Sequence, residues 1–327
     1  MGHGARDDAR HFRMRRQAAG ACAPRLRRIR RMIDATLDAA IARRLAPLLA
    51  PPQDRQLPLR VDGAVAGWIA PERVARLVRF DDVFAIVADE VAFTALLDSA
   101  DARSEALARV ARTLATEGAL SPWRDERYAV GPAFDAPPWF LLERAAARYF
   151  GIHSWAVHGN GLVLDGTELR MWFARRSPTK AIDPGMLDNL VGGGVPAGFR
   201  LRDAFVKEAW EEAGLRDAVA CAATPVGTLQ IVRDTDGGLF RESIVVYDIA
   251  LNRDDIPANQ DGEAIEHRCV SLTEAARLIA LTEGADQVTP EASLVVLDAL
   301  VRHGAVDPEG AAARVLRSMR ATPSVTR

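Results

Sequence analysis

The chain has 327 residues, 49% of them apolar and 26% charged, and a formal net charge of −2. That length holds two modest domains, each with its own core, and a balance so near neutral gives the whole chain no electrostatic reason to bind nucleic acid. No apolar run approaches the ~20 residues that a membrane-spanning helix needs; the three widely spaced cysteines, Cys22, Cys221 and Cys269, form neither a CxxC pair nor a metal-like cluster, which fits free thiols in a reducing compartment.

The first 32 residues carry ten arginines against two aspartates and no lysine. They lack the apolar segment of a secretory signal. They read as a basic leader in a cytoplasmic protein, with organellar import as the other reading. Residues 32 to 51 have helical periodicity and stop at Pro51-Pro52. "LPLRVDGAVAGWIAP" reads as two short strands about an Asp62-Gly63 turn. "PERVARLVRF" and "DARSEALARVARTLATEGAL" have the i, i+3, i+4 apolar spacing of amphipathic helices. "ERYAVGPAF" predicts a strand, and "PPWFLLERAAARYFGI" a helix begun by proline and stopped by Gly151. This gives a small α+β unit over 46–150, preceded by a basic extension and helix over 1–45.

From 151 the pattern changes. "HSWAVHGNGLVLDGTELRMWFARRS" predicts a long hairpin turning at Asp165-Gly166. A glycine-rich loop, Gly192 to Gly194, and an acidic helix follow. Strands are expected at "AVACAATPVGTLQIVRD", "GLFRESIVVYDIAL" and "RCVSL", and helices at "TEAARLIAL" and 290 to 304, before a polar tail over 305–327. Mixed strands covered by helices on both faces predict an α/β/α sandwich over 151–304.

The acidic helix carries the chemistry. With Asp203 as N-cap and Gly214 as its C-terminal stop, Glu208, Glu211 and Glu212 fall at i, i+3 and i+4 on one face. Like charges at that spacing repel by a few tenths of a kcal/mol. A hard divalent cation that takes oxygen ligands removes the conflict, and Mg²⁺ suits it, with Mn²⁺ as a substitute. Arg175, Arg176 and Lys180 form a basic cluster suited to phosphate oxygens.

The segment resembles the Nudix box, Gx5Ex7REUxEExGU, with Gly193, Lys207, Glu208, Glu211, Glu212, Gly214 and Leu215 at its positions. It departs from the box at Lys207 for Arg, Ala209 for a larger aliphatic residue, and Phe199 for the first glutamate. The surroundings resemble the branch called thiamine pyrophosphokinase-related, which carries an N-terminal domain of the DUF4743 type. The residues that carry this are "RAAARYFGIHSWAVHGNG", "ARRSPTKAIDPGMLDNLVGGGVPAG", "NQDGE", "LVRHG", "VDGAVAGWIAPE" and "SPWRDERYAVG". Asp183 stands where that branch usually has an aromatic.

The resemblance implies hydrolysis of a diphosphate bond, with thiamine diphosphate or its damaged forms as substrate and the monophosphate as product. It implies Glu208 and Glu212 as principal metal ligands with Glu211 supporting, and Lys207 bracing them. Glu263 is a candidate base or further ligand, and Arg175, Arg176, Lys180, Gly193 and Gly194 are substrate contacts. Two alternatives stand beside it: a Nudix hydrolase of another nucleoside-diphosphate derivative, and a non-catalytic binding module favoured by Phe199 and Lys207. No GxxxxGK[ST] loop supports a kinase. The expected partner is a small diphosphate, with no nucleic acid or membrane, and the oligomeric state is open.

Overall fold

The computed structural model describes residues 33–49, 56–120 and 122–320. The arginine-rich leader and Cys22 lie outside them. Strand β1 (Leu57–Val61) turns through Asp62 (φ 50°) and Gly63 (φ 82°) into β2 (Ala64–Ile69). Both turn residues have positive φ, as a two-residue turn between antiparallel strands requires. Helix α1 (Ala35–Leu45) precedes this hairpin, and α2 (Pro71–Leu77), β3 (Phe84–Val87), β4 (Glu90–Phe93) and α3 (Ala100–Thr116) follow it. The four strands form one sheet in the order β2-β1-β4-β3, over a core that includes Leu59, Val91, Leu107 and Leu114. Strands β5 (Arg127–Val130) and β6 (Phe140–Glu143) make a separate pair.

The helix expected over "PPWFLLERAAARYFGI" is corrected here. Phe140, Leu142, Tyr128 and Val130 are buried in alternation on β5 and β6, and only Arg144–Ala146 coil, as a 3-10 turn. The "FLLE" run is ambiguous on periodicity alone, and pairing with β5, Val130 opposite Phe140 and Tyr128 opposite Leu142, decides it.

The second unit is a sheet in the order β11-β12-β7-β8-β13. It is made of β7 (His153–Asp165), β8 (Glu168–Arg176), β11 (Thr224–Thr235), β12 (Gly238–Leu251) and β13 (Ala264–Ser271). Short strands β9 (Leu187–Asn189) and β10 (Val191–Gly194) add onto β8 and β7. Along β7, Ala156 and Leu162 face one core while Val157 and Val163 face another; on β12, Ile244 and Val246 oppose Val245 and Tyr247. This is the period-2 alternation of a sheet covered on both faces. Helix α4 (Leu201–Ala213) covers one face through Phe205, Ala209 and Ala213. Helices α6 (Leu272–Leu278) and α7 (Pro290–Arg302) cover the other. The fold is the α/β/α sandwich with a mixed sheet, preceded by a smaller α+β domain.

Three further expectations change. Asp217–Ala222 is a short helix, α5, where a strand was expected, and the strand starts only at Thr224. The N-cap of α4 is Arg200 and not Asp203. Residues after 304 include helix α8 (Ala311–Met319), whose Ala312, Leu316 and Met319 are buried in the same core as Ile41 and Leu45 of α1. Asp38 of α1 accepts from the N–H groups of Ala311 (2.6 Å) and Ala312 (3.3 Å), so one helix caps the other. The polar look of the tail hid an amphipathic helix.

Candidate active site

Gly192, Gly193 and Gly194 do not form a loop. They are strand β10, antiparallel to β7 and in register with His158, Val157 and Ala156 in that order. Glycine is needed for room rather than for φ. A Cβ on Gly193 would fall 2.6 Å from Glu208 Oε2, and one on Gly192 would fall 3.1 Å from the His158 ring. With no side chains in the way, the acid face of α4 lies directly on the strand.

Glu212 is 9% exposed, and its Oε2 accepts from Gly192 N–H at 2.8 Å. Burial pushes its carboxyl well above the ordinary carboxylate range, and Glu208 and Asp188 push the same way, against Lys180. Glu208 is also raised by burial, with Lys207 opposing and Glu211 adding. Lys207 Nζ lies 3.3 Å from Glu208 Oε1 and is paired with Glu211. Glu263 is paired with Lys180, and Ser177 N–H donates to its backbone carbonyl at 2.8 Å. Its loop is tied to the end of α4. Gln260 N–H donates to Glu211 O at 2.7 Å, and Ala258 N–H to Ala213 O at 3.0 Å.

Among the described residues no three carboxylate, imidazole or thiol groups stand as a ready-made metal cage. Glu211 and Glu263 are each held by a lysine. Glu208 and Glu212 nonetheless have the chemistry of a cation site: one half-buried and one buried carboxylate, the first disfavouring the ionised form of the second, with hard oxygen donors. A divalent ion held by two carboxylates and completed by water or phosphate oxygens fits this donor set.

A cleft opens beside these acids, lined by Gly192 to Gly194, His158, Asp188, Arg176 and Glu242, and also by Arg144 and Arg148. Arg176 donates to Asp188 Oδ2 at 2.7 Å and to the Ile182 carbonyl at 2.9 Å. Arg175 does not reach the cleft, which corrects its place among the substrate contacts. Adjacent residues on a strand point to opposite faces, and its guanidinium is taken up by Glu266, Asp286 (2.6 Å), Gly185 O (3.1 Å) and Ala285 O (2.8 Å). Lys180 stays near the acids through Glu263, although it does not line the cleft. His158 lines it with Nδ1 held by Asn189 Oδ1 at 2.8 Å, whereas Asn160 is fully buried behind it. None of Trp155, Trp172 and Trp210 lines it.

Asp183 also lines the cleft, at φ 48° and immediately before Pro184. That conformation is strained for a residue preceding proline. Burial raises its carboxyl, and Glu291 adds to the effect. Phe199 is 40% exposed and leaves the first-glutamate position of the box with no acid. The sequence pattern did not single out Arg144, Arg148, Asp188 or Glu242. The i, i+4 arginine spacing of "RAAAR" was the available signal, and it was absorbed into the helix expected there.

Cys221 is exposed and Cys269 half-buried, both as free thiols. No helix of the described residues is long and apolar enough to cross a membrane.

Two family models match the chain: a domain of unknown function, DUF4743, over residues 45–154, and the NUDIX domain over residues 159–292. Nudix hydrolase 24, chloroplastic, of Arabidopsis thaliana is 35% identical over 256 residues, covering 77% of this chain and 69% of the relative. Nudix hydrolase 20, chloroplastic, of the same plant is 36% identical over 264 residues, with the same 77% and 69% coverage. The crystal structure of DR0079 from Deinococcus radiodurans aligns with a TM-score of 0.40 and 24% identity, covering 52% of this chain and 97% of that one. With two relatives at that identity over more than two thirds of their length, the chain belongs to the Nudix hydrolase family and is a hydrolase of diphosphate bonds.

Proposed function

We propose that this protein is a Mg²⁺-dependent diphosphohydrolase that cleaves thiamine diphosphate, or a damaged or oxidised form of it, to the monophosphate and inorganic phosphate. The observation that carries the reading is the seating of Glu208 and Glu212 on the Gly192–Gly194 strand beside an arginine-lined cleft. The thiamine part rests on the resemblance to the DUF4743-bearing branch. It is supported by a cleft that has both signs of charge: arginines for a diphosphate, and Asp183 for a positively charged ring.

Glu208 and Glu212 would hold the cation, with Mn²⁺ able to replace Mg²⁺. Bound there, the ion would neutralise diphosphate oxygens and ease deprotonation of the attacking water. Glu211 would support them once released from Lys207, which orients the acid face. Glu263 is our candidate for the base. It lies on a loop fixed to the end of α4 and is masked by Lys180, so a phosphate that draws off the lysine would free the carboxylate. Arg176 and Lys180 would grip phosphate oxygens, and Gly193 and Gly194 let the substrate approach the backbone. The Arabidopsis relatives are named chloroplastic. For this chain the reading is cytoplasmic, with organellar import resting on the arginine-rich leader.

The test is phosphate release from thiamine diphosphate, its oxidised analogues and a nucleoside diphosphate panel, with Mg²⁺ and with EDTA, beside Glu212→Gln. Metal-assisted charge stabilisation is worth several kcal/mol, so Glu212→Gln should lose about a hundredfold or more in kcat. A nucleoside diphosphate as best substrate would replace the thiamine reading. Binding without release on every compound would leave a module that has lost the chemistry, with Phe199 as its mark.

A further inference from the structure

Arg144 and Arg148 belong to the N-terminal domain, yet both line the cleft that holds Gly192 to Gly194. They are four residues apart in a helical turn closed by Phe150 N–H to Ala146 O and Gly151 N–H to Arg148 O, each 3.1 Å. Arg148 is half-buried and lies over the Phe240 ring at 4.6 Å. Its guanidinium makes no hydrogen bond or ion pair among the described residues.

Of the acids whose charge it feels, Asp183 lines the same cleft without a hydrogen bond to it, and the other two are engaged elsewhere. Glu291 takes Arg233 at 2.9 Å, and Glu242 accepts from Ser154 Oγ at 3.0 Å. A charged group withdrawn from water without a partner is unfavourable, and it persists where a ligand supplies the counter-charge. Arg144 is more exposed. It pairs with Glu126 at 3.1 Å, stands over the Tyr128 ring at 5.8 Å and lines the cleft. Gly193 lines the same cleft and packs on Glu208, whose carboxylate feels the Arg144 charge, so an anion held by the arginines would share the cleft that borders the acid site.

We propose that the active site is shared between the two domains, and that Arg144 and Arg148 are substrate-binding residues for phosphate oxygens of the diphosphate cleaved at Glu208 and Glu212. The proposal rests on the diphosphohydrolase reading for its ligand class, and it assigns the N-terminal domain a direct part in holding that ligand. A planar fork that offers two parallel N–H donors suits phosphate better than a lysine point charge does.

The test uses the full chain and inorganic pyrophosphate with Mg²⁺, titrated by calorimetry, in wild type, Arg148→Ala, Arg148→Lys and Arg144→Ala. Arg79→Ala, on an exposed ion pair with Glu117 outside the cleft, is the control. Loss of a charge-assisted contact should weaken pyrophosphate by about tenfold to a hundredfold in Arg148→Ala. Arg144→Ala should lose less and Arg79→Ala nothing. In turnover of the best diphosphate substrate, KM should rise more than kcat falls. Should Arg148→Ala unfold, Arg148→Lys decides, since it keeps the charge and loses the fork; it should still bind several-fold more weakly. Wild-type affinity in all the cleft variants, or a wild-type chain that does not bind pyrophosphate, would overturn the proposal. Metal-dependent turnover lost in Glu212→Gln but unchanged in the arginine variants would sink the shared site and leave the hydrolase intact. Turnover of another diphosphate in place of thiamine diphosphate would do the reverse, removing the substrate reading and sparing the arginines.

Discussion

Gly193 shows how a single missing Cβ makes a site. The sequence marked it as a glycine of a known box, with phosphate approach as the reason. The structure adds a nearer reason, because the Glu208 carboxylate occupies the space a methyl group would take. Gly193→Ala leaves the strand pairing possible, since β10 runs extended there, and the side chain that must yield is the free end of Glu208. Displacing a catalytic group by about 1 Å can reduce turnover by about a hundredfold. We therefore expect kcat to fall by about that factor while Tm moves by only a few degrees. An alanine variant with unchanged kcat would mean the carboxylate works from another rotamer. The same reasoning explains which site residues were legible. Glu208, Glu211, Glu212 and Gly193 sit within one short stretch whose spacing has meaning by itself. Arg148, Asp188 and Glu242 come from three separate segments and meet only through β9, β12 and the interdomain turn, so no local pattern announces them. Arg175 failed for the opposite reason: it is adjacent to Arg176 in sequence, and strand geometry separates them.

At the scale of elements, helix α4 and the loop carrying Glu263 act as one piece, and Gly214 is the joint. It ends the helix at φ 62°, where its N–H bonds back to Trp210 O at 2.8 Å. A Cβ there would fall 2.6 Å from the carbonyl oxygen of Ala258, a backbone atom that cannot rotate away. Gly214→Ala combines left-handed strain with a backbone clash and should cost about 2 kcal/mol or more. A loss of that size lowers Tm by on the order of 5 °C in a chain this long. Because the clash pushes on the segment that also ties Gln260 to Glu211, kcat should fall with stability, unlike in Gly193→Ala. A variant that melts early yet turns over normally would show that the loop position is set elsewhere. The stop at Gly214 was readable from sequence because only glycine settles there without strain. The start at Arg200 was not, because no side chain caps the helix and Asp203 merely offered a better cap by type. The 153–176 hairpin was equally legible, while Asp217–Ala222 was not, six residues being too few to show a helical period.

The whole molecule depends on the seam between its two domains, and pH should probe that seam. Arg73 donates across it to Gly237 O at 2.7 Å and to Asp236 O at 3.0 Å. His153 starts β7 at the same seam, in a recess shared with Val65, Ala66 and Trp139, with Nε2 2.9 Å from Ser243 Oγ. Burial lowers its pKa to about 4, and Arg241 adds to the effect. The unfolded chain has an ordinary histidine near 6.5, so between about 4 and 6.5 the unfolded state binds a proton that the folded state refuses. Stability is therefore complete above 6.5, and it falls as pH drops through the window, by at most roughly 3 kcal/mol. Asp248 acts lower down. Burial opposes its ionisation, but hydrogen bonds from His303 and Arg302 bring its pKa down to about 2, so its contribution is lost only between about 4 and 2. The two windows do not overlap, which lets one substitution separate them. Urea unfolding of wild type and His153→Gln from pH 4.5 to 7.5 should give a rising curve for the first and a flatter one for the second. The variant should be less stable than wild type at pH 7.5, where it lacks the native packing, and should recover that deficit toward pH 4.5. Parallel curves across the range would mean the seam admits water to His153, and that the two domains are joined less tightly than the Arg73 contacts imply.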